Sequence, residues 1–206
     1  MNDFQEFIKK ILQEASEIAR NNFGKTSSIT TKSGDNNQVL TETDLAIGRL
    51  IVGKINETFP AHNIIDEEAG IIDKNSEFTW VVDPVDGTSN FANGIPLYGI
   101  MVGLLQKETP IAGGISLPSF NELYVAQKGK GAFCNDERIH ATNEENLLKV
   151  LVAYGIDGHQ EDSELTKKET SILAEIVLSI RNLRSSNSAF DAAMVARGNY
   201  GATLNR

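Results

Sequence analysis

Trp80-Val81-Val82-Asp83-Pro84-Val85-Asp86-Gly87-Thr88-Ser89-Asn90-Phe91 is the stretch on which the reading of this chain turns. The apolar run from Phe78 to Val82 predicts a buried strand that stops at Asp83-Pro84. Pro84 fixes its own φ and stiffens a turn, so Asp83 and Asp86 emerge close together at the strand's C-terminal end. Two like charges so placed share a proton or bind a cation. Hard carboxylate oxygens favour magnesium, manganese or calcium over softer metals. A second short apolar run, Asn63 to Asp66, stops at Asp66-Glu67-Glu68-Ala69-Gly70, and Glu67 adds a third carboxylate. Gly87-Thr88-Ser89 offers backbone amides and two hydroxyls, a phosphate cradle beside a metal site. Taken alone, Asp-Pro-x-Asp-Gly also reads as an ordinary turn, and Asp-Glu-Glu as a solvated surface. The apolar runs leading into both groups favour strand ends.

Working outward, Phe4, Phe7, Ile8, Ile11, Leu12, Ala15, Ile18 and Ala19 recur at helical spacing, so the chain opens with an amphipathic helix. Asn2 or Asp3 can cap it, and Gly24 sits just past its end. A polar loop, Lys25 to Gln38, follows. Thr43 is the expected N-cap of a second helix from Asp44 to Thr58, which Phe59-Pro60 ends. Strands are expected at Tyr98 to Gln106, Pro110 to Leu117, Glu122 to Lys128, around Ile139, and at Leu147 to Tyr154. Gly129, Gly131 and Asn135-Asp136 read as turn material. A helix from Leu165 to Ile180 should bury Leu165, Leu173, Ile176, Val177 and Ile180. A short one, Ala189 to Ala196, ends at Gly198. Helices and antiparallel strands alternate in blocks, which predicts a layered α+β fold rather than a doubly wound sheet.

The chain has 206 residues, enough to bury a core without disulfide or metal staples. Its formal charge of −9 argues against a surface that grips nucleic acid or anionic lipid. The lone cysteine, Cys134, excludes an intramolecular disulfide framework and a cysteine zinc site, and suits a reducing compartment. His62, His140 and His159 lack metal-ligand spacing. No stretch approaches the ~18 apolar residues of a membrane helix, and no signal peptide is apparent. The expectation is a soluble, cytoplasmic protein without membrane or nucleic-acid partners.

These residues resemble the inositol monophosphatase family, the magnesium-dependent, lithium-sensitive phosphatases. The family pattern W-[IV]-[IV]-D-P-[IL]-D-G-T-x-N-F matches from Trp80 to Phe91, with Val85 in the variable aliphatic slot. Its preceding acid pair matches Glu67 and Glu68. Thr41 to Asp44, Gly94 to Pro96 and Gly129 to Phe133 match further motifs, and the likeness runs from the first helix to the last residue. The resemblance implies an α-β-α-β-α sandwich of the sugar phosphatase type. Residues 1–145 would form the metal-binding α+β part, and residues 146–206 the start of a C-terminal α/β part.

The resemblance also implies roles. Glu67, Asp83 and the carbonyl of Val85 would hold one magnesium, and Asp83 with Asp86 a second. Asp44 would lie near a third, weaker position, and manganese could substitute. Glu68, Asp44 and Thr88 would be the catalytic residues, with Asp44 and Thr88 paired beside the attacking water. Gly87, Thr88 and Ser89 would hold the phosphate. Lys32 matches a lysine near the metals, though an exposed loop lysine reads the same way. Ser186 to Asp191 falls where the family usually has G-S-A-A-[LV]-[DN], with Ser186 in the glycine slot and Asn187 in the serine slot. Arg184, Asn187, Ser188 and Asp191 are therefore candidate substrate contacts, and Asp191 could equally be a helix-surface acid facing solvent.

The expected reaction is hydrolysis of inositol monophosphate. Fructose 1,6-bisphosphate, histidinol phosphate and 3′-phosphoadenosine phosphates are alternatives of the same chemistry, and a non-catalytic, partner-binding relative is the alternative of another class. A homodimer is the family habit. The family's W-D-x-A-A-G segment, whose Asp ligates the second metal, has no counterpart before Arg206. On that ground the sequence reads as truncated, and a protein that ended at Arg206 is expected to show weakened magnesium binding, little turnover and exposed apolar surface.

Overall fold

A computed structural model describes residues 3–25, 29–31, 39–155, 159 and 161–204. The chain divides into two compact units, Met1–Arg138 and Ile139–Arg206. In chain order the elements are α1 (Phe4–Asn22), β1 (Ile29–Thr31), β2 (Val39–Thr41), α2 (Glu42–Thr58), β3 (Asn63–Asp66), β4 (Gly70–Ile72), β5 (Phe78–Asp86), α3 (Thr88–Ala92), β6 (Gly99–Gln106), β7 (Thr109–Leu117), β8 (Glu122–Gln127), β9 (Gly131–Cys134), β10 (Glu137–Ile139), β11 (Leu151–Tyr154), α4 (Ser163–Ser179), β12 (Asn182–Arg184), α5 (Ala189–Ala196) and β13 (Ala202–Leu204). Mixed α+β architecture is what the sequence predicted.

The first unit is organised by an eight-stranded sheet in the order β10-β9-β8-β7-β6-β5-β3-β4. The ladders β3–β4, β5–β6, β6–β7, β7–β8 and β8–β9 are antiparallel, and β3 runs parallel to β5. That parallel pair brings the C-terminal ends of both acid-bearing strands to one edge of the sheet. Helices α1 and α2 pack on the sheet, α1 over β7 and β8 and α2 over β5. Helix α1 buries Phe4, Ile8, Ile11, Leu12, Ala15 and Ala19 along the face its periodicity predicts. Asp3 caps it, accepting the amide of Glu6. Each fully buried Ile or Leu contributes about 1.5–3 kcal/mol.

Several elements depart from expectation. The polar loop before residue 39 contains β1, which pairs antiparallel with β2. Helix α2 starts earlier than predicted because Thr41, not Thr43, is its N-cap, in a capping box with Asp44. Strand β5 does not stop at Pro84. It continues to Asp86 through an irregularity opposite Met101 to Gly99. Gly131, read as turn material, opens a strand, β9. Among the described residues, no helix is long and apolar enough to cross a membrane.

The second unit carries a three-stranded parallel sheet in the order β12-β11-β13. Leu147 to Lys149, expected to open β11, forms a 3-10 turn instead. Val150, Val152 and Ile180 form a small buried cluster. Along α4 only Glu169 is buried, and Val177, predicted to be buried, is 46% exposed. Leu147, Leu148, Ile172 and Leu178 are exposed too.

Candidate active site

The acidic centre of the first unit begins with the irregularity in β5. Asp83 pairs with Met101 and Asp86 with Gly99, so one extra residue is inserted on the β5 side. In a regular strand residues three apart face opposite sides. The bulge shifts the phase by one, so Asp83 and Asp86 can serve one side of the sheet. Pro84, which has no N–H for the ladder, occupies the inserted segment. Pro84 and Val85 are buried, whereas Asp83 and Asp86 are half-buried.

Glu67 and Glu68 arrive from β3. The amide of Glu67 donates to the carbonyl of Val82 at 3.1 Å, continuing the pairing with β5 beyond the end of β3. Asp66 accepts the amides of Glu68 at 2.9 Å and Ala69 at 2.7 Å, which turns the chain directly after the strand. Asp66 carries no role in the sequence reading. The signal was available, since Asp followed by amides two and three residues on is an ordinary Asx turn.

Asp44 comes from the first turn of α2 and is 1% exposed. Its Oδ2 accepts the amide of Thr41 at 3.1 Å and also the Thr41 hydroxyl. Its Oδ1 accepts the Thr88 hydroxyl at 3.2 Å. That hydroxyl also lies 2.7 Å from the carbonyl of Val85, and its single hydrogen serves one acceptor at a time. The predicted Asp44–Thr88 pair therefore exists, across 44 residues of sequence. Burial raises the pKa of Asp44 above its ordinary 3.8, against the hydrogen bonds from Thr41 and Thr88. Gly87, at φ 86° and ψ 38°, adopts the left-handed conformation that glycine tolerates and caps α3. The first amides of a helix have no acceptor within it.

The electrostatics bind these pieces together. Asp83 is pushed up to about 8, first by burial and then by the charges of Asp86, Glu67, Asp44 and Glu68. The five acids singled out in the sequence therefore share one electrostatic environment. Among the described residues, no three His, Cys, Asp or Glu side chains are gathered into a ready-made chelate. The donors nonetheless suit a hard divalent cation, being oxygen-only and mutually repulsive, with one carboxyl held protonated into the neutral range. Lys32 lies outside the described residues.

The other four candidates belong to the second unit, on the turn from β12 into α5. Asn187 has φ 50°, a left-handed conformation in which Asn is several-fold enriched, which suits it to the slot it occupies. Ser188 caps α5, accepting the amide of Phe190 at 3.3 Å. Asp191 is 4% exposed, so it is no solvent-facing surface acid. Its Oδ2 accepts the amide of Ser186 at 3.2 Å, which fastens the turn. Arg184 is exposed, and its Nη1 donates to the carbonyl of Leu183 at 2.8 Å.

Residues 1–206 match the inositol monophosphatase family. The chain belongs to that family. Inositol monophosphatase 2 of Solanum lycopersicum is 34% identical over 193 residues, covering 91% of this chain and 72% of the tomato protein. The fructose-1,6-bisphosphatase/inositol-1-monophosphatase of Aquifex aeolicus is 31% identical over 202 residues, covering 94% of this chain and 75% of its own length. A putative Nus factor SuhB of Neisseria meningitidis is 30% identical, covering 97% and 77% respectively. The solved structure of a Thermotoga maritima IMPase superposes with a TM-score of 0.87 at 27% identity, over 99% of this chain and 76% of that one. The chain thus spans about three quarters of these relatives' lengths. The inositol monophosphatase family is metal-dependent, generally with magnesium.

Proposed function

We propose that this protein hydrolyses a phosphate monoester, with inositol monophosphate as the first substrate to try. The observation that carries the reading is that the charges of Asp86, Glu67, Asp44 and Glu68 all act on the half-buried Asp83 and, with its burial, push its pKa up to about 8. Such a cluster is unfavourable by itself and is relieved when cations replace the proton. Glu67, Asp83, Asp86 and the carbonyl of Val85 would hold two magnesium ions, with Asp44 near a weaker third position.

When bound, the ions supply Lewis acidity, which makes hydroxide available near neutral pH and screens the phosphoryl charge. The protein's own groups position the reactants. Asp44, fixed by its capping box, orients the Thr88 hydroxyl beside the attacking water. Glu68 helps hold that water. The amides from Gly87 to Ser89 cradle the phosphate oxygens. No covalent nucleophile is needed, so Cys134 and the three histidines have no part in the reaction.

The test is phosphate release with and without magnesium or manganese, and with lithium as inhibitor. Substrates are inositol monophosphate, fructose 1,6-bisphosphate, histidinol phosphate and 3′-phosphoadenosine phosphate. Metal-dependent release that lithium suppresses and Asp83→Asn abolishes is the expected result. The Aquifex relative's name makes fructose 1,6-bisphosphate the first alternative. The name of the Neisseria relative favours a second reading, a partner-binding role without turnover. Absence of metal-dependent release from all four compounds would decide for it.

A further inference from the structure

Two unfavourable choices meet at one contact beside the acidic centre. Asp66 is 3% exposed. Its Oδ1 is fully used by the amides of Glu68 and Ala69. Its Oδ2 is buried without a hydrogen-bond partner. An Asx turn on the surface would leave that second oxygen in water and avoid the cost. The same oxygen lies 3.0 Å from where a Cβ on residue 48 would stand, with the Pro84 ring at 3.3 Å. Residue 48 is glycine, in the interior of α2, where alanine would favour the helix more. The helix therefore gives up propensity where the Asp66 carboxylate needs the space. The place of that missing Cβ on α2, which carries Asp44, is bordered by the Asp66 carboxylate and by Pro84 of the β5 bulge, which carries Asp83 and Asp86.

We propose that Asp66 is a positioning residue. Seated against Gly48 of α2, it fixes the backbone of Glu67 and Glu68 so that these acids and those of β5 and α2 reach one centre. The claim rests on the reading of Glu67 as a cation ligand. Outer partners that orient ligands are worth about 10–100-fold in metal affinity. A side chain that only closed a turn would not be buried against the helix.

Two measurements on the intact chain test it. The first is hydrogen exchange of the Glu68 and Ala69 amides without metal. Asp66→Ala should speed exchange at both by about 10-fold or more, and Asp66→Asn, whose Oδ1 can still accept both amides, should stay near wild type. The second is manganese titration by calorimetry. Asp66→Ala should weaken binding by about 10-fold, and Asp66→Asn by no more than about threefold. Gly48→Ala, which displaces the carboxylate without removing it, should weaken binding in the same direction, and it carries the test if Asp66→Ala does not fold. Unchanged exchange in folded Asp66→Ala would overturn the proposal alone. Manganese binding by Asp83→Asn equal to that of wild type would overturn the cation reading, and the affinity half of the proposal with it.

Discussion

The two ends of β5 handle a half-buried ionisable group in opposite ways. At the N-terminal end, His62 stacks between Phe59 and Phe78, with ring centroids at 5.0 Å and 4.8 Å. Its Nδ1 accepts the indole N–H of Trp80 at 3.1 Å. Burial, helped by the charge of Lys74, lowers the pKa of His62 and so favours the neutral ring. Neutrality there is structurally complete, because the neutral ring is the form that can accept from Trp80. At the C-terminal end, burial again acts first but raises Asp83, and neighbouring acids raise it further. Neutrality there rests on a proton that a cation can displace. One strand thus carries an end built for stability and an end left electrostatically unfavourable, as functional sites often are.

Four experiments would break or sharpen that contrast. The largest effect belongs to Trp80→Ala. Trp80 is fully buried and packs against Phe4, Phe7 and Phe59. Its removal should cost about 3–5 kcal/mol in denaturant unfolding. A loss below about 1 kcal/mol would mean that this end does not hold the fold.

Next is Asp83→Asn, followed without metal. Between the ordinary 3.8 and about 8, folded Asp83 holds more proton than the unfolded chain does. Stability therefore falls as pH rises through that window. The variant removes this penalty and should gain about 1–2 kcal/mol near pH 8, a rise in Tm of about 2–8 °C. The gain should vanish toward pH 4. A Tm that drops equally at both pH values would contradict the view of this end as a penalty.

His62 has the opposite sign. Its folded-state pKa lies below the ordinary 6.5, so the unfolded chain binds the extra proton first. The stability that neutral His62 contributes is complete above pH 6.5 and is lost as pH falls toward the folded value. Urea midpoints across this range should decline for wild type, and His62→Gln should flatten that part of the curve. The smallest effect is expected from Lys74→Met. Lys74 donates to Asn56 and to the carbonyl of Pro60, and its charge is the second cause of the His62 shift. An NMR titration should find the His62 pKa slightly higher in that variant.

Most of the acidic site was legible because its decisive residues are local. Asp83, Pro84, Asp86, Gly87 and Thr88 lie within one short stretch, and that chemistry reads off residue types at fixed spacing. The first helix was legible for the same reason, since its apolar face is a periodicity of the chain itself. The start of α2 was misplaced although a capping box was written in Thr41 and Asp44, because Thr43 offers the same side-chain chemistry. Val177 was misread because helical spacing marks a face without saying whether anything covers it.

By itself, then, the sequence determined which atoms are available: hard carboxylate oxygens at strand ends, a glycine turn with hydroxyls, and apolar stripes to bury. Tertiary structure alone decided their phase and company. The bulge in β5 decided that Asp83 and Asp86 can share a side, and the parallel pairing of β3 with β5 brought Glu67 and Glu68 alongside. The packing of α2 set Asp44 against Thr88, and Gly48 against Asp66. These are through-space relations between segments far apart in the chain. Burial and Coulomb repulsion depend on distance in the fold, and no local pattern of residues encodes it.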